Sequence, residues 1–202
     1  MGRDVDQMIE RLQVVFDRLR KAGLKLKPKK CQLFQRQVEF LGHVVSAEGV
    51  ATDPKKVQKV RDWPVPKNLN EVRGFLGLSG YYRKFVPDYY TKAKPLHDLT
   101  RVPRKGRVKF EWTSECDEAF AVLKDALTEA PILGFPRDTG RYILDCDSSD
   151  FAMGAVLSQE QEGKEVVLAY SSKSLSKEQK KFCVTRKEFL AIVFHLKYFR
   201  NY

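Results

Sequence analysis

Four acidic residues pose the chemical question. Asp145, Asp147 and Asp150 crowd into RYILDCDSSDFAMGAVLSQ, Arg141 to Gln159, a stretch that otherwise reads as a buried strand. Alternation along an extended chain puts Tyr142, Leu144 and Cys146 on one face, and Ile143, Asp145 and Asp147 on the other. A carboxylate at the end of a central strand is costly unless it is paired or bound to a cation. Glu188 follows 41 residues after Asp147, among the apolar positions Leu190, Ile192 and Val193. A helix packed on the sheet would bring Glu188 beside Asp147. Two converging carboxylates are a common way to hold Mg2+ or Mn2+ for phosphodiester chemistry. The same spacing also allows Glu188 to pair with Lys187 or Lys181 at the surface.

The elements that must position these groups follow from periodicity. Val5, Met8, Ile9, Leu12, Val15, Phe16 and Leu19 recur at helical spacing, and Gly23 supplies a stop. VEFLGHVVSAEGVATD predicts strand, turn, strand, with the turn at Glu48-Gly49 and Phe40 and Leu41 as possible core. Asp53-Pro54 starts a helix to Asp62. WPVPKN is a rigid connector, and LNEVRGFLGLSGYYRKFV continues as helix. A further helix is expected over Tyr90 to Leu99, then a basic loop, RVPRKGRVKF. Thr113 or Ser114 caps a helix over Glu115 to Leu127. From Arg141 the period becomes that of strands: 141–147, 152–159 and 165–172 form a meander. Ser174 or Ser176 is expected to cap a last helix running to about Tyr198.

Composition narrows the classes. The 202 residues are 43% hydrophobic and 31% charged, enough for one or two domains with cores. No apolar run of membrane-spanning length occurs, so no membrane partner is expected. MGRDVDQMIERLQ lacks a signal-peptide apolar region. Four scattered cysteines and three scattered histidines make a zinc site improbable and point to reduced thiols in an intracellular protein. Charge is divided unevenly. Residues 1–110 hold 25 Lys/Arg and 11 Asp/Glu, whereas 111–202 hold 12 and 15. A basic front half suits a polyanion, most simply nucleic acid, although a Lys-rich surface also serves solubility.

LDCDSSDFAMGAVLSQ resembles the opening of the ribonuclease H domain of LTR retrotransposon Pol polyproteins of the gypsy-like group, and LAYSSKSLSKEQKKFCVTRKEFLAIVFHLKYFR resembles its continuation. FLGHVVSAEGVATDPKKVQKVRDWPVP and EVRGFLGLSGYYRKFVPDY resemble the end of the reverse transcriptase palm and the thumb. The resemblance covers nearly the whole chain in the family's order. It implies an α+β fold, with a palm-edge hairpin and helical thumb followed by a truncated ribonuclease H-like β-β-β-α unit. Its parts would be residues 1–63 (palm edge with a primer-grip-like hairpin), 64–136 (thumb and connecting helices) and 137–202 (the N-terminal part of ribonuclease H).

The resemblance also assigns roles. Asp147 matches the first catalytic aspartate and Glu188 the helix glutamate, both as ligands of Mg2+ or Mn2+ in a two-metal mechanism. Asp145 and Asp150 do not match catalytic positions and are expected to face solvent or nearby lysines. Phe40, Leu41, Gly42 and His43 match the primer-grip hairpin. In the thumb helix, Gly74 and Gly77 would admit a duplex groove; Arg73, Arg83 and Lys84 would meet phosphates, and Tyr81 or Tyr82 sugars. Phe75, Leu76, Leu78 and Phe85 are expected in the thumb core. The implied partners are an RNA–DNA hybrid or duplex and the rest of the Pol polyprotein. Cys146 and Ser148 stand where the family usually has Thr and Ala. The polymerase aspartates would lie upstream, and two further ribonuclease H carboxylates after Tyr202. The parent would be an RNA-directed DNA polymerase and hybrid ribonuclease. Activity of these residues alone is doubtful, and a catalytically inert nucleic-acid-binding remnant or a domesticated scaffold is the alternative. An exposed apolar flank is expected on the C-terminal piece.

Overall fold

The computed structural model describes residues 4–101 and 110–202, so most of the expected basic loop lies outside the described residues. The chain forms two compact units divided between Arg36 and Gln37.

The first unit is built on α1 (Val5–Lys21), the expected amphipathic helix. Asp4 caps it by accepting from the Gln7 amide at 2.8 Å. Gly23 takes the left-handed φ of +68° that ends such a helix. Ile9, Leu12 and Phe16 line a shallow groove closed by Leu33 and Phe34.

The second unit starts with a three-stranded antiparallel meander: β1 (Gln37–Phe40), β2 (His43–Ser46) and β3 (Val50–Thr52). The expected turn at Glu48-Gly49 joins β2 to β3. A second turn, at Leu41-Gly42, joins β1 to β2. Both its residues have positive φ, +47° and +71°, which makes a tight two-residue hairpin. Phe40 pairs with His43 across it.

Helices follow. α2 (Pro54–Arg61) is capped by Asp53, and α3 (Leu69–Tyr81) by Asn68, whose side chain accepts from the Glu71 amide. The single helix expected over Tyr90–Leu99 is two, α4 (Tyr89–Lys92) and α5 (Lys94–Leu99). Pro95 has no amide hydrogen to carry one ladder through this segment. α6 (Ser114–Thr128) is capped by Thr113. These helices close over one core, in which Phe75 and Phe120 lie 4.6 Å apart and Trp63 sits edge-on to Phe75. Phe75, Leu76 and Phe85 are buried as expected, and Leu78 packs at the margin.

The second sheet is β4 (Tyr142–Ser148), β5 (Ala152–Gln161) and β6 (Lys164–Ser174), all antiparallel. The last helix, α7 (Val184–Tyr198), begins later than expected. Ser174 is still in β6. Ser176 accepts from the Gln179 amide, which opens a short 3-10 turn instead. Leu175 is buried and its amide bonds to the Phe151 carbonyl at 2.7 Å, which holds the chain to the sheet before α7 can start.

The sheet has two different neighbours. Leu144, Cys146, Ala155, Leu157 and Ala169 share one face, against Phe199. Met153 and Cys146 meet Ala191 of α7 on that face. The other face turns to the helical core, which Val167 and Tyr170 join. There the Tyr90 amide donates to Ser172 Oγ at 3.0 Å. Backbone bonds add to this: Val50 and Leu133 pair as an isolated bridge, and the Gly134 amide donates to the Val167 carbonyl at 2.8 Å.

Candidate nucleic-acid interface and carboxylate site

The hairpin tip is held by two tyrosines at the end of α3. Tyr81 donates its hydroxyl to the Leu41 carbonyl, and Tyr82 donates to the Gly42 carbonyl at 2.6 Å. His43 stacks on the Tyr81 ring at 5.4 Å and meets Tyr82 edge-on. Tyr82 is buried, and its phenol is pushed up to about 12, chiefly by burial and then by the Asp53 carboxylate. His43 is held below its usual pKa by burial and by Lys84. Tyr82 and His43 are therefore packing residues, and of the two tyrosines Tyr81 is the one with substantial open surface. Phe40 and Leu41, expected as possible core, are 64% and 71% exposed. The tight turn thrusts them outward, while the tyrosines satisfy the backbone behind them.

The outer face of α3 continues this surface. Asn70, Arg73, Gly74, Gly77 and Tyr81 are all exposed, at the spacing of one helical stripe. A Cβ on Gly77 would meet nothing within 4 Å, and one on Gly74 would make only ordinary contact with Trp63 at 3.7 Å. Internal packing thus does not require either glycine, although a glycine inside a helix costs about 0.8–1.0 kcal/mol relative to alanine. Arg83 is exposed and donates to the Gly80 carbonyl at 2.9 Å. Lys84 is partly buried, its ammonium 5.1 Å from the Phe85 ring centroid, and desolvation lowers its pKa.

The acidic residues separate into pairs and free carboxylates. Asp150 accepts an ion pair from Lys187 at 2.7 Å. The lysine side chain is only 7% exposed, and its hydrogen bond, then its charge, hold the Asp150 carboxyl below the usual range. Glu188 therefore does not take Lys187 as its partner. Asp145, Asp147 and Glu188 are exposed and make no ion pair among the described residues. The β4–β5 register sets Asp147 opposite Gly154, on the face away from Cys146 and α7. Glu188 lies one turn before Ala191, which packs against Cys146. The Lys187–Asp150 pair ties that first turn of α7 to the loop just after Asp147. Asp147 thus lies on the sheet face away from α7, while Glu188 lies on the helix that covers the opposite face. Among the described residues, no group of three His, Cys, Asp or Glu side chains converges as a metal cage.

All three histidines are held below their usual pKa, in each case chiefly by burial. His195 is fully buried, with Nδ1 2.8 Å from the Ala191 carbonyl and Nε2 without a partner. Between the ordinary value of about 6.5 and the lower native values, the unfolded chain binds more protons than the folded one. Stability should therefore be flat from pH 8 to 7 and fall as pH drops below about 6.5. Urea midpoints across that range test this; a midpoint that rises on acidification would refute it.

On the flank of α7, Val184, Phe189, Ile192, Val193 and Leu196 are exposed, matching the expected apolar surface. No described helix is long and apolar enough to cross a membrane.

Comparison with known proteins places this arrangement. Residues 112–202, which take in α6 as well as the second sheet and α7, match the family described as "RNase H-like domain found in reverse transcriptase". The chain is 38% identical over its full length to the retrovirus-related Pol polyprotein from transposon opus of Drosophila melanogaster, covering 21% of that protein. It is also 38% identical, over 95% of its length, to the Pol polyprotein from transposon 297 of the same organism, covering 17% of it. The chain thus spans about a fifth of the length of these relatives. The foamy viral protease-reverse transcriptase, solved in complex with an RNA/DNA hybrid, superposes over 97% of this chain and 26% of its own, with a TM-score of 0.77 at 24% identity. That likeness establishes the mixed helix-and-sheet fold. The chain is similar over its whole length to retrotransposon Pol polyproteins, and residues 112–202 match the RNase H-like domain found in reverse transcriptases.

Proposed function

We propose that this chain is the part of a retrotransposon reverse transcriptase and ribonuclease H that grips an RNA–DNA hybrid and contributes two carboxylates to hydrolysis of its RNA strand. Residues 1–63 would serve as palm edge, 64–136 as thumb and connecting helices, and 137–202 as the ribonuclease H strands and helix. The observation that carries the reading is the outer stripe of α3. Its two glycines are unneeded inside the protein and sit between Arg73 and Tyr81, next to the exposed Phe40-Leu41 tip. A smooth helix face flanked by a cation suits close approach to a duplex groove, with Arg73, Arg83 and Lys84 set for phosphates.

Asp147 and Glu188 would hold Mg2+ or Mn2+, which when bound supplies an activated water and stabilises the leaving oxygen. The chain's own part would be to supply two unpaired carboxylates, one from β4 and one from α7, while Lys187 neutralises Asp150. The four free cysteines accord with a protein working inside the cell, in cytoplasm or nucleus. The exposed α3 stripe, which needs no metal, also suits a second reading, a nucleic-acid-binding remnant or scaffold that performs no cleavage.

The test is Gly77→Leu. With open space at Gly77, the variant should be no less stable than the native chain, and a better helix former there should add up to about 1 kcal/mol. Its affinity for a labelled RNA–DNA hybrid should nevertheless drop by at least about tenfold, which corresponds to roughly 1.4 kcal/mol. Unchanged affinity in a stable variant would remove α3 from the interface. Loss of binding with hybrid cleavage absent throughout would favour the second reading.

A further inference from the structure

A cleft of about 190 Å³ opens between α5 and the end of the second sheet. Three elements wall it. α5 and the two residues after it present Lys94, His97, Asp98 and Arg101 at helical spacing; Phe151 comes from the β4–β5 turn; Lys180 comes from the 3-10 turn before α7.

The charges are arranged, not scattered. Asp98 bonds Lys94 at 2.8 Å and Arg101 at 3.0 Å, so one carboxylate aligns two cations. Lys94 also lies 5.1 Å from the Phe151 ring centroid. Lys180 has no carboxylate partner among the described residues. The cleft therefore carries three cations against one anion. His97 stacks on Tyr90 at 5.5 Å, and its buried Nε2 has no hydrogen-bond partner. The Ser174 hydroxyl at the rim has none either. An excess of cations beside uncommitted polar groups, in a recess with room for several water-sized groups, matches a tetrahedral oxyanion.

We propose that this cleft binds a phosphate group through Lys94, Arg101 and Lys180. The phosphate belongs either to a nucleic-acid strand, in which case the site extends the hybrid-binding reading and rests on it, or to a free phosphate monoester. None of the residues that line the cleft belongs to the α3 stripe or is Asp147 or Glu188.

The experiment uses the whole chain, with Lys180→Gln and Arg101→Gln as two independent surface variants. Inorganic phosphate is titrated while the backbone amide resonances of residues 94–101 are followed, and the salt dependence of hybrid binding is measured in parallel. Phosphate should shift those amides saturably in the native chain and not in the variants. If a strand supplies the phosphate, each variant should also flatten the slope of log affinity against log salt by about one, equally for all sequences. Lost phosphate shifts with an unchanged slope would assign the site to a free phosphate monoester. A flattened slope without phosphate shifts would assign it to the strand alone. The proposal is overturned if the amides respond alike in native chain and variants, or not at all, while the salt slope stays native. Should the native chain bind no hybrid, the hybrid-binding reading fails and the phosphate titration still decides the cleft.

Discussion

RNA-strand cleavage of a labelled hybrid should fall by on the order of 10³-fold or more when Asp147 is changed to Asn in a Pol protein containing this segment. Glu188→Gln should cost a similar factor. The double variant should be little worse than either single one, because ligands of one metal site act as a unit. Asn and Gln keep the shape of the side chain and remove its charge, so hybrid affinity should stay within about twofold of native, most of it coming from phosphate contacts elsewhere. Asp145→Asn is the matched control on the same strand face and should leave cleavage intact. Assays in Mg2+ and in Mn2+ read all four proteins. Full activity in Asp147→Asn would detach this strand from the chemistry and leave Asp147 as a solvated surface acid.

The second large effect is on stability. Phe75 has no exposed surface and packs against Phe120 and Trp63. Phe75→Ala should cost about 3–5 kcal/mol, through lost burial and the cavity left behind. That is a large fraction of the 5–15 kcal/mol typical of a whole domain. The contrast is Lys187→Met. Lys187 is as buried as a core residue, but its partner Asp150 is 82% exposed and simply returns to water. The apolar stem of methionine keeps the packing, so this change should lie within about 1 kcal/mol of neutral. Chemical denaturation of the three proteins ranks them; a Lys187→Met variant as damaged as Phe75→Ala would show the ion pair to be a structural keystone.

The periodic elements were legible in the sequence for physical reasons. The 3–4 spacing of Val5 to Leu19, the Asp53-Pro54 start and the Thr113 cap are local signals, and each acts where it is written. Other features depend on distant partners. Leu41 is a poor residue for positive φ, so the Leu41-Gly42 turn carried little signal; it is held by Tyr81 and Tyr82, forty residues on. The late start of α7 reflects the backbone bond of Leu175 to Phe151 and its burial beside Met153, while the serines that looked like its caps lie in β6 and before a 3-10 turn. Lys187 occupies a buried helix position that hydropathy assigns to an apolar residue, and only the loop at Asp150 explains it. Asp147 and Glu188 could be singled out from one strand and one helix. What the sequence could not show is that the β4 register turns Asp147 to the face away from α7, the helix that carries Glu188.

The backbone bonds through Leu133 and Gly134 also have a kinetic consequence. Val50 of β3 is laced to Leu133, and Gly134 to Val167 of β6, so the chain between α6 and β4 stitches both sheets together. An edge strand of three residues would ordinarily fray in isolation. Here its peeling requires the stitch to break on a segment whose Leu133 side chain is sunk in the helical core. The amides of Val50, Leu133 and Gly134 should therefore exchange with solvent at one common rate, close to that of global opening, while neighbouring turn amides exchange far sooner.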